Sequence, residues 1–391
     1  MKTDLLDRGV ENIIPNKEKL QSLLESGRKL NVYIGIDPTA TRIHIGHAVP
    51  LRKLNQFANL GHNVTFLIGD FTALIGDTSD KDTERPILTT EEIKANFASY
   101  KKIAEKVLDF SKVKVVYNSE WLSKLTFTDI VKLTQHFSAG DFVGRELIKK
   151  RLSTGKHVGL HELLYPVMQG YDSYYLDTDI QLGGTDQTFN MQAGRTLQKD
   201  LRNKESYIIT NGFLEGTDGR KMSKSWGNAI WLDDEPNEMY GKVMSLKDEL
   251  IINYFTLATN LSREQISEYE QSLKSGSNPM ELKKALAYQI VLELHNKEAA
   301  DTAANFFQKT VQNKELPLEI ETMQISGGVS ASATLFSQVF SVSKSESKRI
   351  IEHGGAYINN KKISDINENI EIEDGIILKL GKRKIKKLKI I

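Results

Sequence analysis

The 391-residue chain contains no cysteine, which excludes disulfides, thiolate nucleophiles and cysteine-ligated zinc, and makes a reducing compartment unproblematic. No uninterrupted apolar run approaches the roughly 18 residues of a membrane span, so no membrane partner is expected. The opening MKTDLLDRGV scatters acids among its apolar positions and leads into no apolar h-region, so no signal peptide is expected and the cytoplasm is the expected location. Metal-site spacing is missing as well. His157 and His161 stand four apart, but the intervening VGL lacks the glutamate of a zinc-protease helix, and no protein-held metal is expected. A Walker-A pattern is absent, which disfavours a P-loop ATPase.

What is present begins with length and an uneven charge. The chain exceeds what one hydrophobic core serves, so two or three domains are expected. The net charge is +1, yet residues 330–391 hold twelve Lys and Arg against seven Asp and Glu, a surplus of +5 that leaves residues 1–329 at −4. A basic module on an acidic body favours a polyanion partner such as nucleic acid; a solvated lysine tail is the alternative.

Short β-rich runs alternate with helical patterns through the first part of the chain. NVYIGI (31–36), NVTFLIG (63–69), KVKVVYN (112–118), TDIQLG (178–183) and SYIITNG (206–212) read as strands. The expected fold is α/β, a Rossmann-like parallel sheet with crossover helices and ligands at the carboxyl ends of its strands. Residues 1–232 form the expected catalytic domain and 233–325 an all-helical second domain. The stretch 314–331, with its proline and paired glycines, reads as a linker, and 332–391 as a small α+β module.

Two segments point to phosphate chemistry. After the first parallel strand, DPTATRIHIGHAVPLRKLNQFANLGH passes from loop into an amphipathic helix. His44, Ile45, Gly46 and His47 would sit at its N-terminus, where unpaired N–H groups and the helix dipole favour a triphosphate and Gly46 admits a flat base. Far away in the chain, GRKMSKSWG (219–227) carries Arg220, Lys221 and Lys224 between two glycines. Such a loop can close over a substrate and neutralise charge on a leaving pyrophosphate; a plain surface turn is the alternative.

HIGH after the first of these strands and KMSKS after the last are the two signatures of class I aminoacyl-tRNA synthetases, and the chain resembles that family through YIGIDPTATRIHIGH, LIGDTSDKDTER, YPVMQGYDSYYLDTDIQLGGTDQ and DGRKMSKSWGN. The likeness is to its tyrosyl branch in particular, of bacterial type. It implies catalytic roles for His44, Gly46, His47, Lys221 and Lys224. It implies ATP contacts from Gly35, Asp37, Thr39, Gly184, Asp186 and Ser223, with Mg²⁺ carried by the ATP. Tyr33 and Asp172 would bond a substrate phenol, and Tyr165, Gln169 and Asp77 its ammonium group, with Gln187 nearby. Lys81 and Arg85 match a basic stretch that helps hold pyrophosphate. Ile34 departs from the family where some members have a small polar residue facing the ribose. The implied partners are L-tyrosine, ATP, tRNA and a second copy of the chain.

Read from the residues alone, a helical YPVMQGYD puts Tyr165, Gln169 and Asp172 on one face at i, i+4 and i+7, beside the apolar Leu163, Leu164, Val167 and Met168. Pro166 suggests a kink or a helix start nearby. An ordinary amphipathic surface helix is the alternative. A site built around a phenol rejects phenylalanine because its buried polar groups would be left unpaired, and tyrosyl enzymes are themselves the usual example.

The C-terminal SVSKSESKRIIEHGGAYINNKKISDINENI resembles a ribosomal-S-four-type RNA-binding module. By that likeness Ser345, Lys348 and Arg349 on a helix, the Gly354–Gly355 turn, and Lys361 and Lys362 after it would grip RNA phosphates with little base reading. Lysines protecting an edge strand are the alternative. A tryptophanyl synthetase shares the fold and both signatures. An RNA-binding protein with a vestigial site is the reading from another class.

Overall fold

The computed structural model describes residues 4–38, 41–76, 89–223, 226–312, 320–381 and 384–391. Two compact units divide the chain: Met1–Asp234 with Ser245–Leu286, and Glu235–Met244 with Ala287–Ile391.

In the first unit the elements run β1 (Val10–Ile14), α1 (Lys17–Glu25), β2 (Asn31–Ile36), α2 (Ile45–Asn59), β3 (Asn63–Ile68), α3 (Thr90–Ala104), β4 (Lys114–Tyr117), α4 (Ser119–Leu122), α5 (Phe127–Thr134), α6 (Ala139–Val143), α7 (Glu146–Ser153), α8 (Leu160–Tyr175), β5 (Ile180–Gly184), α9 (Thr188–Arg202) and β6 (Tyr207–Asn211). They build one six-stranded sheet in the order β1-β6-β5-β2-β3-β4. β2 through β6 are mutually parallel, and β1 runs antiparallel on the β6 edge. The five parallel strands are the five apolar runs of the sequence. Their near-continuous hydrophobicity follows from helices covering both faces. β1 (VENII) carries no such signal, because none of its residues is buried.

Helix packing explains several odd residues. α8 and α9 cross so closely that a Cβ on Gly170 would stand 3.0 Å from the Ala193 carbonyl carbon, and one on Gly194 would stand 2.7 Å from the Ser173 Cβ. Pro166 lies six residues inside α8. Its missing N–H leaves the Glu162 carbonyl without a helical partner, and the Arg145 guanidinium donates to that oxygen at 3.4 Å. Arg151 forms a buried bidentate pair with the Glu162 carboxylate at 2.6 and 3.0 Å. Lys53 on α2 is buried and donates to the carbonyls of Leu5 and Arg8 at 2.7 and 2.9 Å, so it ties the N-terminal segment to that helix.

Following β6, α10 (Pro236–Met244) belongs to the second unit, α11 (Ile251–Ala258) and α12 (Arg263–Lys274) to the first; α13 (Pro279–Leu294) contributes to both and α14 (Lys297–Phe307) to the second. The rest of the second unit is β7 (Thr322–Ile325), β8 (Gly328–Ala331), α15 (Ser332–Phe340), α16 (Lys344–Glu352), β9 (Ala356–Ile358), β10 (Lys361–Ile363), β11 (Asn369–Ile372), β12 (Ile377–Leu380) and β13 (Lys384–Ile390). β10-β9-β12-β13-β7 form one sheet and β11-β8 a ribbon, around a core that includes Leu335, Phe336, Val339, Ile351, Leu378 and Leu388.

Of the expected linker at 314–331, residues 314–319 lie outside the described residues, and from Thr322 on it is corrected by β7 and β8. β7 adds in parallel to β13 and β8 pairs with β11. Proline and paired glycine suggested loop, but the partners that make these short segments into strands lie far downstream, β13 for β7 and β11 for β8. Among the described residues no helix is long and apolar enough to cross a membrane.

Candidate active site

Strand order reverses between β5 and β2, the point at which a doubly wound sheet opens a crevice at its carboxyl edge. A cleft of about 530 Å³ lies there. The end of β2 (Tyr33 to Asp37), the end of β5 (Gln181 to Gln187), the start of α2 and the segment Asn211–Leu214 line it, together with Lys221 and Met222. The two signature segments, about 175 positions apart, therefore share one cleft through Gly46 and Lys221.

At the start of α2, His44 is the N-cap residue and its extended backbone turns the chain into the helix. The His44 and His47 rings stack at 3.6 Å, and the His44 backbone N–H donates to His47 Nδ1 at 3.4 Å. Burial, followed by the neighbouring His47 and the charge of Lys221, pushes the His44 imidazole down to about 2, so it is neutral at physiological pH. A Cβ on Gly46 would meet the His44 ring at 3.0 Å, so glycine is what lets imidazole and helix start coexist.

The lysine-bearing loop is braced from within. Buried Asn228 accepts from the Ser223 N–H at 2.8 Å and donates to Asp218 Oδ1 at 2.8 Å and to the Lys221 carbonyl at 3.1 Å. The Asn228 amide, with the Arg220 guanidinium, holds the Asp218 carboxyl well below the usual carboxylate range. Lys221 is exposed at the cleft and Ser223 half-buried. Lys224 lies outside the described residues, as do Thr39, Asp77, Lys81 and Arg85.

Below the cleft runs a chain of buried polar groups. Asp172 is 2 % exposed and accepts from Trp121 Nε1 at 2.7 Å and from Asn118 Nδ2 at 3.2 Å. Asn118 also donates to Thr72 Oγ1 at 3.0 Å, and Thr72 donates to Asp37 Oδ1 at 2.7 Å. The Tyr165 hydroxyl donates to the other Asp37 oxygen at 2.8 Å. Burial pushes the Asp172 carboxyl up to about 8 against the lowering effect of Trp121 and Asn118. Tyr33 is buried, and desolvation followed by the charge of Asp172 holds its phenol well above its ordinary value. The Tyr33 hydroxyl donates to Gln181 Oε1 at 3.3 Å.

Of the residues singled out in the sequence, Tyr33, Gly35, Asp37, His44, Gly46, His47, Gln169, Gly184, Asp186, Gln187 and Lys221 line the cleft together, with Ile34 among them. Tyr165 and Asp172 are not in its lining; Tyr165 is joined to it through Asp37, and Asp172 through Asn118, Thr72 and Asp37. Asp186 is exposed at the rim. Ser345, Lys348, Arg349, Lys361 and Lys362 are exposed on the second unit. There α16 ends on Gly354 at φ +71°, whose N–H donates to the Ile351 carbonyl at 2.8 Å, and the Lys362 side chain passes over this turn.

Sequence reasoning missed Gln181, Asn118, Trp121, Asn228, Arg42 and Tyr100. Gln181 alone carried a local signal, a polar residue inside an apolar strand run. Asn118, Trp121 and Arg42 acquire their roles from partners distant in the chain, and Asn228 from a loop whose local folding no periodicity announces.

A doubly wound sheet that brings a His-x-Gly-His helix start and a lysine-bearing loop to one switch-point cleft defines a nucleotide-binding catalytic domain of the class I synthetase type. Residues 25–312 match the family model described as tRNA synthetases class I (W and Y). Tyrosine–tRNA ligase of Carboxydothermus hydrogenoformans is 43% identical over 98% of this chain and 97% of its own. That of Thermotoga maritima is 41% identical over 97% and 95%. The tyrosyl-tRNA synthetase of Archaeoglobus fulgidus, solved with L-tyrosine, superposes with a TM-score of 0.62 at 24% identity, over 78% of this chain and 98% of that one. A C-terminally truncated mitochondrial tyrosyl-tRNA synthetase of Aspergillus nidulans gives 0.63 at 24% identity, over 78% and 92%. At such identity these two likenesses speak to the fold. The chain belongs to the class I tRNA synthetases of the tryptophan and tyrosine family.

Proposed function

We propose that the chain is a tyrosine–tRNA ligase, which joins L-tyrosine to ATP as tyrosyl-adenylate and transfers the tyrosyl group to the terminal adenosine of its tRNA. The observation that carries this reading is the single cleft shared by His44, His47 and Lys221, with the buried Tyr33 phenol and the Gln181 amide in its lining. The relatives at 41% and 43% identity carry that name.

In the first step a carboxylate oxygen of tyrosine bonds to the α-phosphorus while the bond to the β-bridging oxygen breaks, releasing pyrophosphate. Mg²⁺ enters as part of the ATP substrate. In the second, a ribose hydroxyl of the tRNA attacks the acyl carbon, its proton is lost, and AMP departs. Neither step needs a protein nucleophile. The His44 and His47 imidazoles at the helix start donate hydrogen bonds to phosphate oxygens, and the Lys221 ammonium offsets charge growing on the leaving pyrophosphate. By the family likeness Lys224 takes the same role. Asp37, held by Tyr165 and Thr72, presents a carboxylate edge to the nucleotide or the ammonium group. The tyrosine phenol is bonded by Tyr33, backed by Asp172.

Ser345, Lys348, Arg349, Lys361 and Lys362 bind phosphates of structured RNA in this reading, the module 332–391, with β7 and β8 added to its sheets, being its RNA-binding domain. The chain acts as a homodimer in the cytoplasm, where ATP and tRNA meet. An association face is supported by α5 and α8, which flank an apolar cavity of about 210 Å³ and expose Phe127, Val131 and Leu160.

ATP–pyrophosphate exchange, run separately with tyrosine, tryptophan and phenylalanine, tests the assignment. Exchange driven by tyrosine alone is expected. Exchange driven by tryptophan would move the chain to the other branch, and none at all would leave an RNA-binding protein with a vestigial site.

A further inference from the structure

Arg42, Trp231, Asp233 and Asp234 have no part in the chemistry described above, yet they stand where the two signature segments meet. The chain entering α2 and the chain leaving the lysine-bearing loop form a short antiparallel ladder. Ile45 N–H donates to the Ile230 carbonyl at 2.8 Å and Leu232 N–H to the Ile43 carbonyl at 2.9 Å, with His44 opposite Trp231. Just before the ladder, the Arg42 fork reaches across it. Nε lies 3.0 Å from both carboxylate oxygens of Asp233, and Nη2 lies 2.7 Å from Asp233 Oδ1 and 3.3 Å from Asp234 Oδ1. The guanidinium carbon stands 4.8 Å from the centre of the Trp231 ring. Asp234, whose side chain is 2% exposed, takes the Trp231 backbone N–H on its other oxygen at 2.8 Å.

A third element is fastened to the same junction. From α3, Asn96 donates to the Pro38 carbonyl at 2.9 Å and Ser99 to the Thr41 carbonyl at 2.8 Å. Just beyond α3, Lys106 donates to the Leu232 carbonyl at 2.7 Å. On the loop side, Asn228 holds Lys221 and Ser223 and stands two residues from Ile230. Hydrogen bonds at Asn228 and in the ladder, joined by the chain from Asn228 to Ile230, thus link the cation-bearing segment to the histidine turn, with the Arg42 fork closing the far end.

We infer that Arg42, with Asp233, Asp234 and Trp231, forms a clasp that sets the lysine-bearing loop in register with the histidine turn, and that these are positioning residues for adenylate formation. The physical need is geometric. Imidazole and ammonium groups from remote segments must meet one phosphate, and a misplacement of about an ångström costs about a hundredfold in rate. Arg42 borders the cleft, but its fork is committed to two carboxylates, which makes it a brace for the cations that face the phosphate. This inference rests on the proposed synthetase activity.

The test compares wild type with Arg42→Gln, Asp233→Asn and the reversed pair Arg42→Asp with Asp233→Arg, in tyrosine-dependent ATP–pyrophosphate exchange, with tyrosine affinity measured by equilibrium dialysis. Each single variant is expected to lose about tenfold or more in kcat while KM and Kd for tyrosine stay within about twofold, and the reversed pair to regain part of the rate. Unchanged kcat in both single variants overturns the clasp. So does a parallel loss of kcat and tyrosine affinity that the reversed pair does not relieve, because that marks an ion pair serving only stability. A wild type without tyrosine-dependent exchange refutes the functional reading instead.

Discussion

Replacing Trp121 by phenylalanine isolates one hydrogen bond in the buried polar chain. Trp121 is 4% exposed, and its ring stacks on Tyr175 with centroids 4.4 Å apart. Phenylalanine keeps most of that apolar contact and removes only the Nε1–H that points at Asp172 from 2.7 Å. A hydrogen bond to a charged acceptor is worth about 1.5–3 kcal/mol. At about 1.4 kcal/mol per pKa unit this becomes a rise of about 1–2 units. The sign follows from the donor, which favours the carboxylate, so its loss favours the acid. Asp172 stands at about 8 through burial, so Trp121→Phe moves its midpoint to about 9–10. Carboxyl-carbon NMR titration, with Asp172→Asn to assign the resonance, measures this directly. A linked measurement is stability against pH. Because the folded value of Asp172 lies above the unfolded value of about 3.9, its contribution is complete at acid pH and is lost as pH rises through about 8. In the variant that loss is displaced to higher pH. A midpoint for Asp172 that stays in place or falls would refute the assignment of Trp121 as the main donor.

Glu162→Gln breaks a pair whose side chains are 3% and 1% exposed, leaves Arg151 charged and buried, and is expected to cost about 3–5 kcal/mol in urea unfolding; a cost below about 1 kcal/mol would mean that water reaches the pair. Gly170→Ala forces a methyl against the Ala193 backbone, where no side chain can yield, and is expected to destabilise by about 1–3 kcal/mol, read from the same unfolding curves. A neutral outcome would show that α8 and α9 part readily. Lys348→Ala combined with Arg349→Ala removes two exposed cations from α16; it is expected to weaken tRNA charging several-fold and flatten its salt dependence while exchange with tyrosine is untouched, and equal charging by the variant would defeat the RNA-binding assignment.

Local pattern carried much of the architecture. The five buried strands were legible because parallel strands covered on both faces need unbroken apolar runs, and the switch-point cleft follows once their alternation with helices is recognised. β1 and β7 were not legible, since β1 buries no residue and β7 only Ile325, and neither therefore shows an apolar run. The site divides along the same line. Gly46, the two imidazoles and Lys221 announced themselves by residue type and spacing. The supporting groups did not: Trp121 and Asn118 matter because they donate to Asp172, and Asn228 because it accepts from Ser223.

Pro166 and the paired Arg42 and Asp233 show where the division falls. A proline inside a helix can be read from one segment, whereas the Arg145 guanidinium that takes the freed carbonyl comes from another. Arg42 and Asp233 stand 191 positions apart, and nothing in either neighbourhood names the other. Sequence alone determined the five parallel strands, the phosphate-seeking signatures and the basic C-terminal segment, because periodicity, helix-end chemistry and charge act over a few residues. Only the tertiary structure decided which carboxylate is buried, which donors satisfy it and how the two signatures are held in register, because desolvation and hydrogen bonding depend on what the fold brings within about 3 Å.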